Sequence, residues 1–130
     1  MVIDTMVFAY ALLKVEDYYE QALEILAETD LIIVPDSLFA ELGNVVWQWI
    51  QFRQFPLELA FSVLEDAEIL VDKVIPSAMI RDFALKLAVQ QSHSFYDTLF
   101  VATSIQEQTK VLTYDVKLSK KFPAQVQLVS

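Results

Sequence analysis

Four carboxylates stand at points where the chain changes character. Asp4 follows the apolar pair Val2-Ile3, Asp115 follows the run Lys110-Val111-Leu112-Thr113-Tyr114, Asp97 opens an apolar stretch after Phe95-Tyr96, and Glu41 lies in another that begins after Pro35. Taken singly, each has an ordinary structural role. Asp4 and Asp115 suit helix N-caps, where a side-chain oxygen accepts from a free backbone N–H. Asp97, three residues after Ser94, makes a pattern like a capping box, although Glu or Gln is usual at that place. Glu41 is different. On a helix it shares a face with Leu38, Leu42, Val45 and Trp49, with no Lys or Arg within a turn and Arg53 too far along. It is either an edge residue reaching solvent or a carboxylate on an apolar stripe, which costs on the order of several kcal/mol unless paired, metal-bound or protonated.

Composition narrows the chemistry that such acids can share. The 130 residues include no Cys, which removes thiol nucleophiles, disulfides and zinc-thiolate sites. The single Gly43 removes Gly-rich phosphate loops, and the single His93 leaves little scope for His-based catalysis or a multi-His metal site. Eighteen Asp and Glu against nine Lys and Arg give a net charge of -9, which argues against a general nucleic-acid coat. The charge is uneven: from Lys110 onward the chain carries +3 and the remainder -12. The basic end is either a solvated surface or a local phosphate-contacting patch beside an acidic site.

The elements that must position these residues are legible as alternating short apolar runs and helical periods. At 130 residues the chain is one domain, and no apolar stretch reaches the ~18 residues of a membrane span. With Asp4 inside its first residues and no basic start, it has no signal-peptide pattern, so a soluble cytoplasmic protein is expected. Val2-Ile3 reads as a strand stub and residues 16–28 as a helix. Residues 31–34 read as a strand buried on both faces, followed by a helix over 37–52 capped by Asp36 or Ser37. A helix from Pro56 to about Glu68 precedes a weak strand over 69–74, and a helix after Pro76 carries Ile80, Phe83, Ala84 and Leu87 on one side. His93-Ser94 is a break, 95–107 a helix, 110–113 a strand, and 126–129 the last strand. Strands separated by helices indicate a parallel α/β sheet.

In such sheets ligands bind beyond the carboxyl ends of the strands. Asp4 and Asp115 lie at two such ends, Asp97 early in the helix before the Asp115 strand, and Glu41 early in the helix after Pro35. Acids converging there without basic partners repel, and a hard divalent cation relieves the repulsion. Oxygen-only ligands favour Mg²⁺ or Mn²⁺, which activate water and stabilise an in-line phosphoryl displacement.

The residues carry a resemblance as well. Val2-Ile3-Asp4-Thr5, Pro35-Asp36-Ser37-Leu38-Phe39-Ala40-Glu41-Leu42-Gly43-Asn44, Phe95-Tyr96-Asp97-Thr98-Leu99-Phe100-Val101-Ala102 and Leu112-Thr113-Tyr114-Asp115, in that order, resemble a PIN domain of the VapC toxin type across the whole chain. The resemblance implies a three-layer α/β/α fold with a central parallel sheet of about five strands. It implies a Mg²⁺- or Mn²⁺-dependent endoribonuclease, the toxin of a type II toxin–antitoxin module, with Asp4, Glu41, Asp97 and Asp115 as the metal-binding catalytic acids. It implies an RNA substrate, a cognate antitoxin and a homodimer or higher homo-oligomer. Thr113 matches a hydroxyl residue that supports the last Asp, and Asn44 matches a common family residue. Lys117, Lys120 and Lys121 are the expected RNA phosphate contacts. The chain departs from the family at Met6, where a small polar residue is usual two positions after the first Asp.

Other readings fare less well. A haloacid-dehalogenase-type phosphatase needs a second Asp where Met6 stands, and a response-regulator receiver needs a Lys ending a late strand, whereas Lys110 begins one. From a different class, the chain would be a catalytically silent PIN-like module that binds a partner protein. Trp47, on the helix side away from Glu41, is either part of such an interface or tucked under a loop.

Overall fold

A computed structural model describes residues 1–130, arranged as five parallel strands flanked by seven helices. In chain order these are β1 (Val2–Ile3), α1 (Thr5–Leu12), α2 (Tyr19–Glu28), β2 (Ile33–Pro35), α3 (Ser37–Arg53), α4 (Leu57–Leu70), β3 (Lys73–Ile75), α5 (Ser77–Gln91), α6 (Phe95–Gln106), β4 (Val111–Thr113), α7 (Val116–Lys121) and β5 (Val126–Leu128). The sheet order is β3-β2-β1-β4-β5. The shortest strand, β1, therefore lies at the centre, paired through Val2 with Ile33 and Val111 and through Ile3 with Leu112. Val2 and Ile3 are fully buried, as expected for a strand covered on both faces. The α/β/α architecture is the one the sequence indicates, and no helix is long and apolar enough to cross a membrane.

Element boundaries shift for local reasons. The first long helix begins at Tyr19 rather than Glu16, because Asp17 sits at a left-handed φ of 75° that no helix can include. The second strand starts at Ile33, leaving Leu31 exposed, because its ladder opens with Ile33 N–H donating to the Met1 carbonyl. Ile69 and Leu70, expected in a strand, complete α4, and β3 begins after Asp72, whose carboxylate accepts from Ile32 N–H at 2.8 Å. Asp36 does not cap α3: its own backbone is helical and its carboxylate accepts from the Ser77 hydroxyl, while Ser37 makes no cap bond. Pro56 takes the N-cap position, one residue before the helix proper. In α5 the buried stripe is Ile80, Ala84 and Ala88, whereas Phe83 faces outward.

Helix α6 is the structural centre of the second half of the chain. Seven consecutive residues, Thr98 to Ser104, are buried, so every face of this stretch meets protein. It packs along α5 and contacts β1, β2 and β4. Burying hydroxyls in such a helix requires internal partners. Thr98 donates to the Ala84 carbonyl at 2.9 Å, Thr103 to Leu99 at 2.7 Å and Ser104 to Val101 at 2.7 Å. The first turn of this enclosed helix carries Asp97.

Gly43 lies inside α3 with ordinary helical geometry, and a Cβ built there meets nothing within 4 Å. Gly43→Ala should therefore stabilise the protein by roughly 0.5–1 kcal/mol, by reducing the freedom of the unfolded chain and favouring the helix. Denaturant unfolding should show a higher midpoint with an unchanged slope; a lower midpoint would indicate hidden crowding at this turn.

Candidate metal centre

The four acids arrive from four different connections. Asp4 leaves β1 as the N-cap of α1, Glu41 lies in the second turn of α3 after β2, Asp97 lies in the first turn of α6, and Asp115 follows β4 as the N-cap of α7. All four line one cavity of about 710 Å³, together with Thr113 and Asn44. No Lys or Arg lines it.

The capping roles and the site role coexist. One oxygen of Asp4 accepts from Thr5 N–H at 2.8 Å, and the other accepts from the Thr113 hydroxyl. Thr113 Oγ1 also accepts from Asp115 N–H at 3.0 Å, so this buried threonine joins the first and last acids. Asp115 Oδ1 caps α7 through Leu118 N–H at 3.1 Å. Thr5 Oγ1 donates to Glu41 Oε2 at 2.6 Å, so Thr5 serves two acids, one through its backbone and one through its side chain. Asp97 closes no capping box. Ser94, the N-cap of α6, makes no side-chain cap bond, and Asp97 Oδ2 instead meets His93 Nε2 at 3.0 Å.

The electrostatics follow from burial and like charge. Asp4 is pushed up to about 6, first by burial and further by Asp97 and Asp115, against the hydrogen bonds from Thr113 and Thr5 that favour its ionised form. Glu41 is pushed up to about 7, again first by burial, with Asp4 and Asp97 adding to it and the Thr5 hydroxyl opposing. Glu41 is thus neither freely solvated nor neutralised by a cation.

These residues fit a hard divalent ion. The four acids offer carboxylate oxygen to the cavity, opposing cations are absent from its lining, and the ligand atoms that lie within 4.8 Å of one another are those of Asp97, Asp115 and the neighbouring His93. The Ser37 hydroxyl, which also lines the cavity, is buried without a protein partner, so a polar ligand or its water shell would satisfy it.

The structure places the remaining candidates differently. Asn44 lines the cavity one turn beyond Glu41, and Met6 lines it with a thioether that donates no hydrogen bond. Lys117, Lys120 and Lys121 lie on α7 outside the lining. Lys117 and Lys120 are exposed, whereas Lys121 Nζ donates to the carbonyls of Gln91 and Ser92 at 2.7 and 2.9 Å, at the end of α5. Sequence reasoning passed over Thr5, Ser37 and His93. The four-residue spacing of His93 and Asp97 was visible, but the helix begins between them, so helical periodicity does not describe their meeting.

Residues 1–121 match the family model for the PIN domain. No curated protein matches the chain. Among solved structures, the chain is similar to VapC20 from Mycobacterium tuberculosis, a sarcin-ricin loop cleaving toxin (TM-score 0.72, 16% identity, 92% of each chain covered). It is similar to VapBC2 from Rickettsia felis bound to a promoter DNA fragment (TM-score 0.68, 20% identity, 99% of this chain and 98% of that one). It is also similar to FitAcB from Neisseria gonorrhoeae (TM-score 0.67, 18% identity, 96% and 94%). At these identities the likeness is one of fold.

A carboxyl that holds its proton more tightly when folded contributes stability that is full below its unfolded value of about 4 and is lost as pH rises through the folded value. With Asp4 near 6 and Glu41 near 7, the metal-free protein should melt several degrees lower at pH 8 than at pH 5. Glu41→Gln should remove the share of that profile due to Glu41 and keep the share due to Asp4, leaving the metal-free protein at pH 8 as stable as wild type or more so. Mg²⁺ at a hundred times its dissociation constant should restore about 2.7 kcal/mol to the wild type and less to the variant. Thermal melts across pH check this; a midpoint that rises toward pH 8 would show the acids to be ordinary caps.

Proposed function

The chain belongs to the PIN domain family, and from that premise we propose that it is a Mg²⁺- or Mn²⁺-dependent endoribonuclease, the toxin of a type II toxin–antitoxin module. The observation that carries this reading is the convergence of Asp4, Glu41, Asp97 and Asp115, from four separate elements, on a cavity without Lys or Arg. Those acids would hold the ion, which when bound supplies an activated water and charge stabilisation at an RNA phosphodiester. Glu41, which accepts from the Thr5 hydroxyl, would hold the ion together with the other three acids. Thr113 and Thr5 keep Asp4 and Glu41 in fixed orientations through the reaction. With no Cys in the chain and with His93 turned onto Asp97, the hydrolysis proceeds without a covalent thiol intermediate or a histidine base. Exposed Lys117 and Lys120, on the helix that Asp115 caps, are the proposed contacts to flanking RNA phosphates. That VapC20 cleaves the sarcin-ricin loop supports RNA as the substrate class.

The partner we infer is a cognate antitoxin whose Arg or Lys enters the acidic cavity, since a guanidinium fork satisfies carboxylates that otherwise require an ion. The likeness to VapBC2 supports such a partner. Self-association is supported by exposed apolar side chains along α3 and α4, among them Trp47 at 50% exposure and Phe52 at 75%, which meet edge to face at 6.1 Å. Met6 in the cavity lining favours the second reading, a PIN-like module that binds partners without cleaving.

Incubated with structured RNAs and Mg²⁺ or Mn²⁺, the wild type should cleave, and excess EDTA should stop it. Asp97→Asn or Asp4→Asn should lower the rate by on the order of a hundredfold or more, the scale of losing one group that stabilises transition-state charge. Undiminished cleavage in either variant would remove these acids from the mechanism, and retained metal binding with no cleavage of any RNA would favour the silent module. Sedimentation at micromolar concentration should show a dimer.

A further inference from the structure

We propose that His93 is the positioning residue for Asp97: it donates Nε2–H to Asp97 Oδ2, holds that carboxylate beside Asp115 and thereby sets the affinity of the centre for its divalent ion. The inference rests on the metal-dependent reading above and deepens it. Every other acid of the centre is oriented by a backbone N–H or a threonine hydroxyl: Asp4 by both, Glu41 by Thr5 and Asp115 by Leu118. Asp97 has a side chain 38% exposed and one side-chain hydrogen-bond partner, the His93 ring at 3.0 Å. That ring is itself only 5% exposed and stands edge-on to Phe122, with centroids 6.3 Å apart. Enclosed in this way it cannot swing clear, and in the tautomer proposed Nε2 carries the hydrogen that Asp97 Oδ2 accepts.

The position of the ring is fixed from the far end of α7. Lys121 Nζ binds the carbonyls of Gln91 and Ser92, the residues that lead into His93, and Ser92 turns the chain with a left-handed φ of 50°. Asp115 caps the opposite end of α7. Asp97 and Asp115 are therefore joined by a strut of protein running through His93, the turn and Lys121, and ligand atoms of His93, Asp97 and Asp115 stay within 4.8 Å. Partners that orient a metal ligand from outside commonly change metal affinity by about 10–100-fold.

The test is the Mn²⁺ dissociation constant of the metal-free protein, read from the electron paramagnetic resonance of free Mn²⁺, with thermal midpoints as a check on folding. His93→Phe keeps a buried ring and removes the donor, while the amide nitrogen of His93→Gln reaches about as far from the backbone as Nε2. We expect His93→Phe to weaken Mn²⁺ binding by about tenfold or more, His93→Gln to recover most of the loss, and both midpoints to stay within a few degrees of wild type. A His93→Phe protein that binds Mn²⁺ like wild type, or a His93→Gln protein that loses as much, overturns the inference. If His93→Phe does not fold, His93→Asn, one methylene short, takes its place: weak binding beside a near-normal Gln variant supports the inference, and equal constants overturn it. A wild type that binds no Mn²⁺ overturns this inference together with the metal reading. A wild type that binds Mn²⁺, with binding weakened in His93→Phe, but cleaves no RNA removes only the ribonuclease reading.

Discussion

The mutual repulsion of four carboxylates around one half-enclosed cavity is the constraint to which the rest of the structure answers. At ordinary separations in a partly desolvated site, like charges raise one another's proton affinity or require a cation. Asp4 and Glu41 are each held well above their usual range, first by burial and further by neighbouring acids. The lining suits the second, a cation, since it offers oxygen donors and no Lys or Arg. Neutralising the cluster from within the chain would remove the repulsion and, with it, the reason for an ion to bind.

Holding such a cluster together requires groups that orient each oxygen without cancelling its charge. Backbone N–H groups at helix starts do this for Asp4 and Asp115, so capping and the proposed metal binding fall to the same side chains. Thr113 and Thr5 extend the principle: each uses a hydroxyl to fix an acid from another element, and Thr113 ties the first strand's acid to the last. Neutral hydroxyls suit the task, because they direct lone pairs while leaving negative charge to face the cavity.

The sheet supplies the rigidity on which these contacts depend. Its central strand has only two residues, yet both are fully buried and the strand is paired on both sides, through Val2 with β2 and through Val2 and Ile3 with β4, so Asp4 emerges from the middle of the sheet. Helix α6, enclosed on all faces from Thr98 to Ser104, fixes Asp97 from the opposite direction. Helices that end without glycine, at Gln54 and Ser92, do so in left-handed conformations at exposed positions, in a chain whose one glycine, Gly43, lies inside α3.

Much of this was written in the chain itself. A buried strand run before Asp4, the β-branched run before Pro35 and the run before Asp115, with helical periods between them, determined a parallel α/β sheet, because parallel neighbours need long crossovers. The type and order of the four acids, with no Cys and a single His, determined an oxygen-ligand chemistry. The bounds of edge strand β3 and the start of α2 were not legible, because one is set by pairing with Ile33–Pro35 and the other by the backbone of Asp17. Nor was the company each acid keeps. Thr5 beside Glu41 spans 36 residues, Thr113 beside Asp4 spans 109, and Lys121 reaches back to the turn before His93. Periodicity reports which face of one element is apolar, whereas these contacts exist only after separate elements have been packed at fixed separations. Local pattern therefore determined which residues could do chemistry, and tertiary packing decided which hydroxyl, amide and imidazole aim them.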